Sequence, residues 1–399
     1  MPALRNRWAE LLLLSLARTS MGVQFQAVGA LGPLLIGTLV ADYAALGTLI
    51  GAYSLVGVAV AMPAGWLLVR FGDHRVLLAG LGLMALGGLL LALAPGFGLA
   101  LLGRLVAGGG ASVLAIVCAK RVLDRFSGTS LAPAMGLMLS AWPIGIAAAL
   151  LLLPLFGEAW RLALLASAVL CALALPALWW GIRPSEAATP VVSAWPARLA
   201  PGEWLPLLAV AVLWSSYNAG FAVVLGFGPA LLVARGADPA EAGAVASLVG
   251  WAILPLLPLG GWLAERLGRP LLACALCTLG MGLALLAWVA GAPPAPMLIL
   301  FGLLSGPPAS LTMAQLGRVL SPESRAFGVG VHYMMFYGGL AALPPLAGWL
   351  RDLTGAAAAP VLVAVGFLVV ALGAVGVLGL CGVGQAAMPA PASRPGRAG

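Results

Sequence analysis

The stretch Gly65-Trp66-Leu67-Leu68-Val69-Arg70-Phe71-Gly72-Asp73-His74-Arg75 is a short charged turn between two long apolar runs. A second version, Gly261-Trp262-Leu263-Ala264-Glu265-Arg266-Leu267-Gly268-Arg269, follows 196 residues later (261 − 65), close to half of the 399-residue chain. A charged hairpin turn used once per half, in a chain this apolar, predicts a membrane protein of two related halves. The chain is 62% hydrophobic and 8% charged, whereas a soluble domain carries roughly 25% charged residues. So few charges cannot cover a water-facing surface, and lipid must be the solvent.

Outward from the two turns, apolar runs of at least the roughly 20 residues needed to cross a bilayer can be marked off. They are Glu10–Leu39, Ala45–Val69, Val76–Pro95, Phe97–Leu123, Leu131–Phe156 and Trp160–Ile182, then Trp204–Ala234, Ala240–Ala264, Pro270–Gly291, Pro294–Leu320, Ala326–Leu350 and Ala357–Val383. The expectation is an all-α membrane protein of twelve transmembrane helices in two pseudo-symmetric six-helix bundles. Residues 1–182 form the first bundle and 204–384 the second. A Pro-, Ala- and charge-rich connector, 183–203, joins them. The Ala/Pro/Gly/Arg tail, 385–399, reads as disordered.

The net charge of +8 comes from 20 basic and 12 acidic residues. In a soluble protein this balance suggests nucleic acid, but no basic face with interleaved aromatics exists here. Fifteen of the basic residues fall on one side of the predicted layout, and only Arg161, Arg235 and Arg351 on the other. By the positive-inside rule both termini are expected to be cytoplasmic, and the N-terminus reads as a retained first span. All five cysteines lie inside apolar runs. Cys274-x-x-Cys277 has metal or redox spacing without a second ligand pair, so small core residues are the better reading. No G-x-x-x-x-G-K-[ST] loop occurs, so no direct drive by ATP is expected. Neither an enzyme, a cofactor nor a metal is expected.

These features together resemble the major facilitator superfamily over essentially the whole chain. That family's loop between its second and third helices reads roughly G-x-L-x-D-x-x-G-R-[KR]. Gly65, Leu67, Gly72 and Arg75 fit it, with Val69 where the acid usually stands. Gly261, Leu263, Glu265, Arg266, Gly268 and Arg269 fit it better. Arg104-x-x-Ala107-Gly108-x-Gly110-Ala111 is similar to the family's R-x-x-Q-G-x-G-A, and Gly306–Ser310 repeats the Gly108–Ser112 stretch. Trp160-Arg161 and Gly348–Gly355 are familiar helix endings. In style the chain looks like bacterial cyanate/nitrite- or organic-anion-type permeases. The resemblance implies alternating access around a midplane site and turns that act as a conformational gate: Gly65, Arg70, Gly72, Asp73 and Arg75 in one half, Gly261, Glu265, Arg266, Gly268 and Arg269 in the other. Asp73 is expected to replace the missing acid, and the stronger latch is expected in the second half.

Every acidic residue lies at or beyond a predicted helix end, whereas Arg18 and Arg104 lie inside runs. An arginine at bilayer depth costs at least ~2.5–3.5 kcal/mol, so each must face a cavity or find a partner. A substrate anion, gripped by the guanidinium fork, is one such partner. Arg104 has a scaffold alternative, bonding to backbone carbonyls of the first helix, and Arg18 is near enough to its helix start to snorkel. Further candidate substrate contacts are Gln24, Tyr53, Tyr217, Asn218, Gln315, Tyr333 and Tyr337. The last two are four residues apart and share a helical face. Interhelical hydrogen bonding is the bland alternative for all of them. His332 is the candidate for proton coupling.

The leading expectation is a monomeric secondary transporter of a small organic anion, by symport or exchange, with the lipid bilayer and a proton as further partners and no nucleic acid. A proton-driven drug or sugar exporter is the alternative, weakened by the lack of membrane carboxylates. A non-transporting membrane sensor is more remote, since no signalling domain is visible.

Overall fold

The computed structural model describes residues 6–182, 199–266, 268–321 and 323–383, without the side chains of 64, 65, 69, 132, 261–265 and 326. The expected connector's residues 183–198 and the tail therefore lie outside the described residues. Among the described residues the fold is helical, and the one extended pairing is an isolated bridge between Ile36 and Val40. The first group of helices is α1 (Arg7–Ala30), α2 (Gly32–Leu35), α3 (Tyr43–Val60), α4 (Ala64–Phe71), α5 (Asp73–Ala92), α6 (Phe97–Arg125), α7 (Leu131–Leu152) and α8 (Trp160–Gly181). The second is α9 (Pro201–Ala234), α10 (Pro239–Arg266), α11 (Pro270–Val289), α12 (Pro294–Val319), α13 (Arg325–Thr354) and α14 (Ala359–Leu380).

Among the described residues nine helical stretches are long and apolar enough to cross a membrane. Neither α1 nor α13 is among them. These two carry the polar and charged groups Arg18, Gln24 and Gln26, and His332, Tyr333 and Tyr337, which lower their apolarity.

Local chemistry sets the ends. Asn6 caps α1 by accepting from the Trp8 N–H at 2.9 Å, and Asp42 caps α3 by accepting from the Ala45 N–H at 2.7 Å. Proline opens α9, α11, α12 and α14, where its missing N–H is harmless. Both charged turns place a glycine at the same register with positive φ, +77° at Gly72 and +68° at Gly268, a conformation that a side chain would strain. The expected boundaries shift in three places. Glu10–Leu39 is not one helix: α1 ends at Ala30, and α2 and a loop carry the chain to Asp42. Ala45–Val69 breaks at Ala61–Pro63 into α3 and α4, because Pro63 interrupts the hydrogen-bond ladder. The connector ends earlier than expected, since Glu203 already belongs to the first turn of α9.

Packing repeats along the chain. Helix α6 packs on α3 and α5, and α12 on α10 and α11; α1 packs on α7, and α9 on α13. The glycines of Arg104–Ala111 explain the first of these: Gly108 abuts the Tyr53 backbone and Gly110 the Gly80 carbonyl, so a Cβ at either would collide with main chain. The two groups meet along α3 against α13 and α7 against α10. Two faces result. The basic face carries the start of α1, the end of α6 and both charged turns. The far face carries the turns after α1, α5, α9, α11 and α13.

Candidate functional site

At the basic face, α1, α5 and α6 bring six charges together. Arg121 donates to Glu10 at 2.8 Å and lies 3.1 Å from Asp73, and Arg125 lies 3.0 Å from the other Glu10 oxygen. Lys120 pairs with Asp124 at 2.5 Å and approaches Asp73 at 4.0 Å. Glu10, Asp73 and Arg121 are buried. Asp73 thus spends its charge on α6, inside the first group. Arg70 and Arg75 are exposed, as are Arg266 and Arg269. The side chains of Gly65, Gly261 and Glu265 lie outside the described residues, and with them the expected stronger latch of the second half. What stands at that group's basic face is Glu203. It accepts from the Ala200 and Ser321 N–H groups and the Ser324 hydroxyl at 2.8–2.9 Å, tying α9 to the α12–α13 turn, with no ion pair among the described residues.

At the far face charge bridges the two groups instead. Asp352, in the last turn of α13, accepts from the Tyr43 N–H at 3.1 Å and the Ala44 N–H at 2.7 Å. It therefore caps α3 from outside, where the helix dipole favours a carboxylate. Arg351 sits 3.6 Å over the Tyr43 ring, and Gly348 packs against the Tyr43 carbonyl. Deeper in, Gln26 of α1 donates to the Leu225 carbonyl of α9 at 2.8 Å.

Between the faces the two interior arginines part company. Arg104 is fully buried. It donates to the Leu49 and Gln24 carbonyls at 2.8 Å, to Phe25 at 3.1 Å and to Ile50 at 3.5 Å, and it lies 4.4 Å over the Tyr53 ring. Four of its five donors are spent on backbone of α1 and α3. Of the two readings of Arg104, this geometry is that of the scaffold alternative, a guanidinium clamped on the backbone of those helices. Arg18 is different. It is half-buried, its Nε has no hydrogen-bond partner, and no carboxylate among the described residues lies within ion-pair distance. Electrostatically its charge is felt at Cys118 of α6 and at Tyr333 and Tyr337 of α13.

The other candidates divide in the same way. Tyr333 and Tyr337 stand 6.4 Å apart between ring centroids, and Tyr333 is 37% exposed although well inside α13. The Tyr337 ring lies on Gly57, beside Ser112, where a Cβ on Gly57 would be 2.6 Å from it. His332 is fully buried, both ring nitrogens unpaired, stacked on Trp214 at 6.2 Å. Gln315 is buried with both amide atoms unpaired. By contrast, Gln24 donates to the Met84 carbonyl at 2.8 Å, Tyr217 to the Ser305 carbonyl at 2.7 Å, and Asn218 to Trp214 of its own helix at 2.8 Å. Gln24 and Tyr217 thereby tie helices to one another, Asn218 bonds only within α9, and the Gln24 Oε1 stays unpaired. Tyr53 lies under Arg104 with its hydroxyl unpaired. Sequence reasoning missed the Glu10–Arg121 pair at one face and the Asp352 cap at the other, because each is only a terminal charge until the fold supplies its partner. Trp142, whose ring lies 5.3 Å from Phe25 and whose Nε1 is unpaired, was also missed.

The family description "Major Facilitator Superfamily" matches residues 14–233 and 216–397, and the chain belongs to that superfamily. It is accordingly a multi-pass membrane protein and a secondary transporter of small solutes, from a family of transporters and not of enzymes. No curated protein matches the chain significantly.

Proposed function

We propose that the chain carries a small organic anion by alternating access, with Arg18 as the group that holds the charge. On this reading twelve helices cross the bilayer as two pseudo-symmetric bundles, 1–182 and 204–384, with 183–203 as connector and 385–399 as tail. The α3–α4 pair counts as one crossing. Both termini face the cytoplasm of a bacterial inner membrane, and the protein works as a monomer. The two charged turns gate the basic face. The observation that carries the reading is the unpaired interior cation: Arg18 has no acidic partner within reach among the described residues. An arginine so placed is costly unless an anion meets it. Tyr333, Tyr337 and Gln315 supply further polar contacts, and buried His332 the titratable group for proton-coupled symport, with exchange as the other mode. The absence of a carboxylate at Arg18 disfavours a proton-driven exporter of cationic drugs.

The test compares the two arginines. Arg18→Gln should weaken binding of an organic anion in a thermal-shift panel by roughly tenfold to a hundredfold, the worth of a charged hydrogen bond. Stability should not fall, since a costly interior charge has been removed. Arg104→Gln should instead lower stability, because it strips partners from four buried carbonyls. Unchanged anion binding in Arg18→Gln would overturn the reading.

A further inference from the structure

The far face of the second group of helices holds a cavity of about 720 Å³ between the α9–α10 and α11–α12 turns. Arg235, Glu241, Trp288, Ala290 and Pro293 are among the residues that line it. Arg235 donates to the Trp288 and Val289 carbonyls at 2.8 Å, in the last turn of α11, where the helix dipole favours a cation. Two of its five donors are used in this way, and no carboxylate among the described residues lies within ion-pair distance. Glu241 is exposed in the first turn of α10 and has no ion pair among the described residues either. Asp238 lies between the two in the chain and is committed to capping α10, accepting from the Ala240 and Glu241 N–H groups at 2.8 and 2.9 Å. Trp288 is fully buried, and its indole Nε1 has no acceptor in the protein. One cavity thus carries an uncompensated cation and an uncompensated carboxylate, the complement of a zwitterion.

A shallow apolar groove runs along the same helix. Leu279, Gly282, Leu283 and Leu286 of α11 line it together with Leu368 and Val369 of α14. Gly282 is buried, yet a Cβ there would meet no atom within 4 Å, as a groove at that point requires. Steps of three and four residues from Leu286 lead to Val289 and Ala290, which line the cavity. Groove and cavity therefore share one stripe of α11. That helix has 20 residues, about 30 Å at 1.5 Å per residue, which is the thickness of a bilayer's hydrocarbon core. The cavity at its far end lies at headgroup depth, and the groove lies at acyl depth.

We infer that this corner of the protein binds a phospholipid with a zwitterionic, primary-amine headgroup. The phosphate sits on Arg235, the ammonium on Glu241, and one acyl chain in the α11–α14 groove. An anionic headgroup meets Arg235 but brings no cation to Glu241. A trimethylated amine brings the charge but no N–H to donate to the carboxylate. A soluble molecule with the same headgroup forfeits the burial of the chain.

The experiment is native mass spectrometry on the full chain, purified in detergent and mixed with equal amounts of palmitoyl-oleoyl phosphatidylethanolamine, phosphatidylcholine and phosphatidylglycerol. The ethanolamine lipid should be retained about threefold to tenfold more than either of the others. Glu241→Gln should remove that preference. Gly282→Leu, at a point with room for a side chain, should lower retention of the ethanolamine lipid by about threefold or more while the chain still folds. Glycerophosphoethanolamine, the headgroup without chains, should not compete at equal concentration. Equal retention of the ethanolamine lipid and either other lipid, a preference unchanged in Glu241→Gln, or retention unchanged in Gly282→Leu overturns the inference. Competition by the chainless headgroup also overturns it and gives the cavity to a soluble zwitterion. Dimers without bound lipid overturn it as well, with a second copy covering the groove.

Discussion

The two faces of the molecule use charge for opposite purposes. At the basic face, Glu10, Asp73 and Arg121 are buried and bind α1, α5 and α6 to one another, all within the first group of helices. At the far face, Asp352 and Arg351 reach from α13 to α3, across the seam between the groups. Separating the groups at the basic face breaks none of these basic-face ion pairs. Separating them at the far face must uncap α3 and lift Arg351 from Tyr43. On the alternating-access reading proposed above, the buried cluster stiffens one moving part, whereas the exposed contact latches two parts together. A latch has to be weak enough to open. A solvent-exposed cap on two N–H groups has that strength, and a buried ion triad does not.

This contrast can be broken in order of expected effect. Arg121→Ala leaves Glu10 and Asp73 buried without their main partner and should cost about 3–5 kcal/mol of stability in reversible detergent unfolding. A loss below ~1 kcal/mol would mean that the cluster is solvated and the faces are alike. Asp352→Ala should cost only about 0.5–2 kcal/mol, the worth of a cap. Its main signature should be conformational: spin labels on the α2–α3 and α13–α14 loops should move apart. Unchanged label distances would mean that Asp352 caps a helix and latches nothing. Arg351→Lys should have the smallest effect, about 0.5–1 kcal/mol, because an ammonium covers the Tyr43 ring less well than a planar guanidinium. The same label distances should shift in the same direction, by less.

Much of this architecture was legible in the chain. Composition dictated lipid as solvent, because 8% charge cannot solvate a surface. The repeated turn carried its geometry with it: Gly72 and Gly268 both need positive φ, a local property that a glycine at matched register announces. The α3–α4 break at Pro63 was legible too but was overlooked inside a long apolar run, where hydropathy averages over a proline. The candidate site was legible only as an inventory. Arg18 and Arg104 have the same charge in the same kind of run, and no local signal separates them.

Backbone carbonyls separate them, and those belong to other helices. Arg104 meets carbonyls 54 to 80 residues away in the chain, at Ile50, Leu49, Phe25 and Gln24, and donates four hydrogen bonds to them. Arg18 keeps its Nε without a partner and has no carboxylate within ion-pair distance among the described residues. Likewise Asp352 becomes a cap only because α3 begins beside it. The sequence by itself determined the solvent, the helices, the repeated turn and the supply of interior charge, since these depend on residues near one another in the chain. Only the tertiary structure decided which charge is spent and which is available, since an arginine's partner is set by where distant backbone and side chains come to rest.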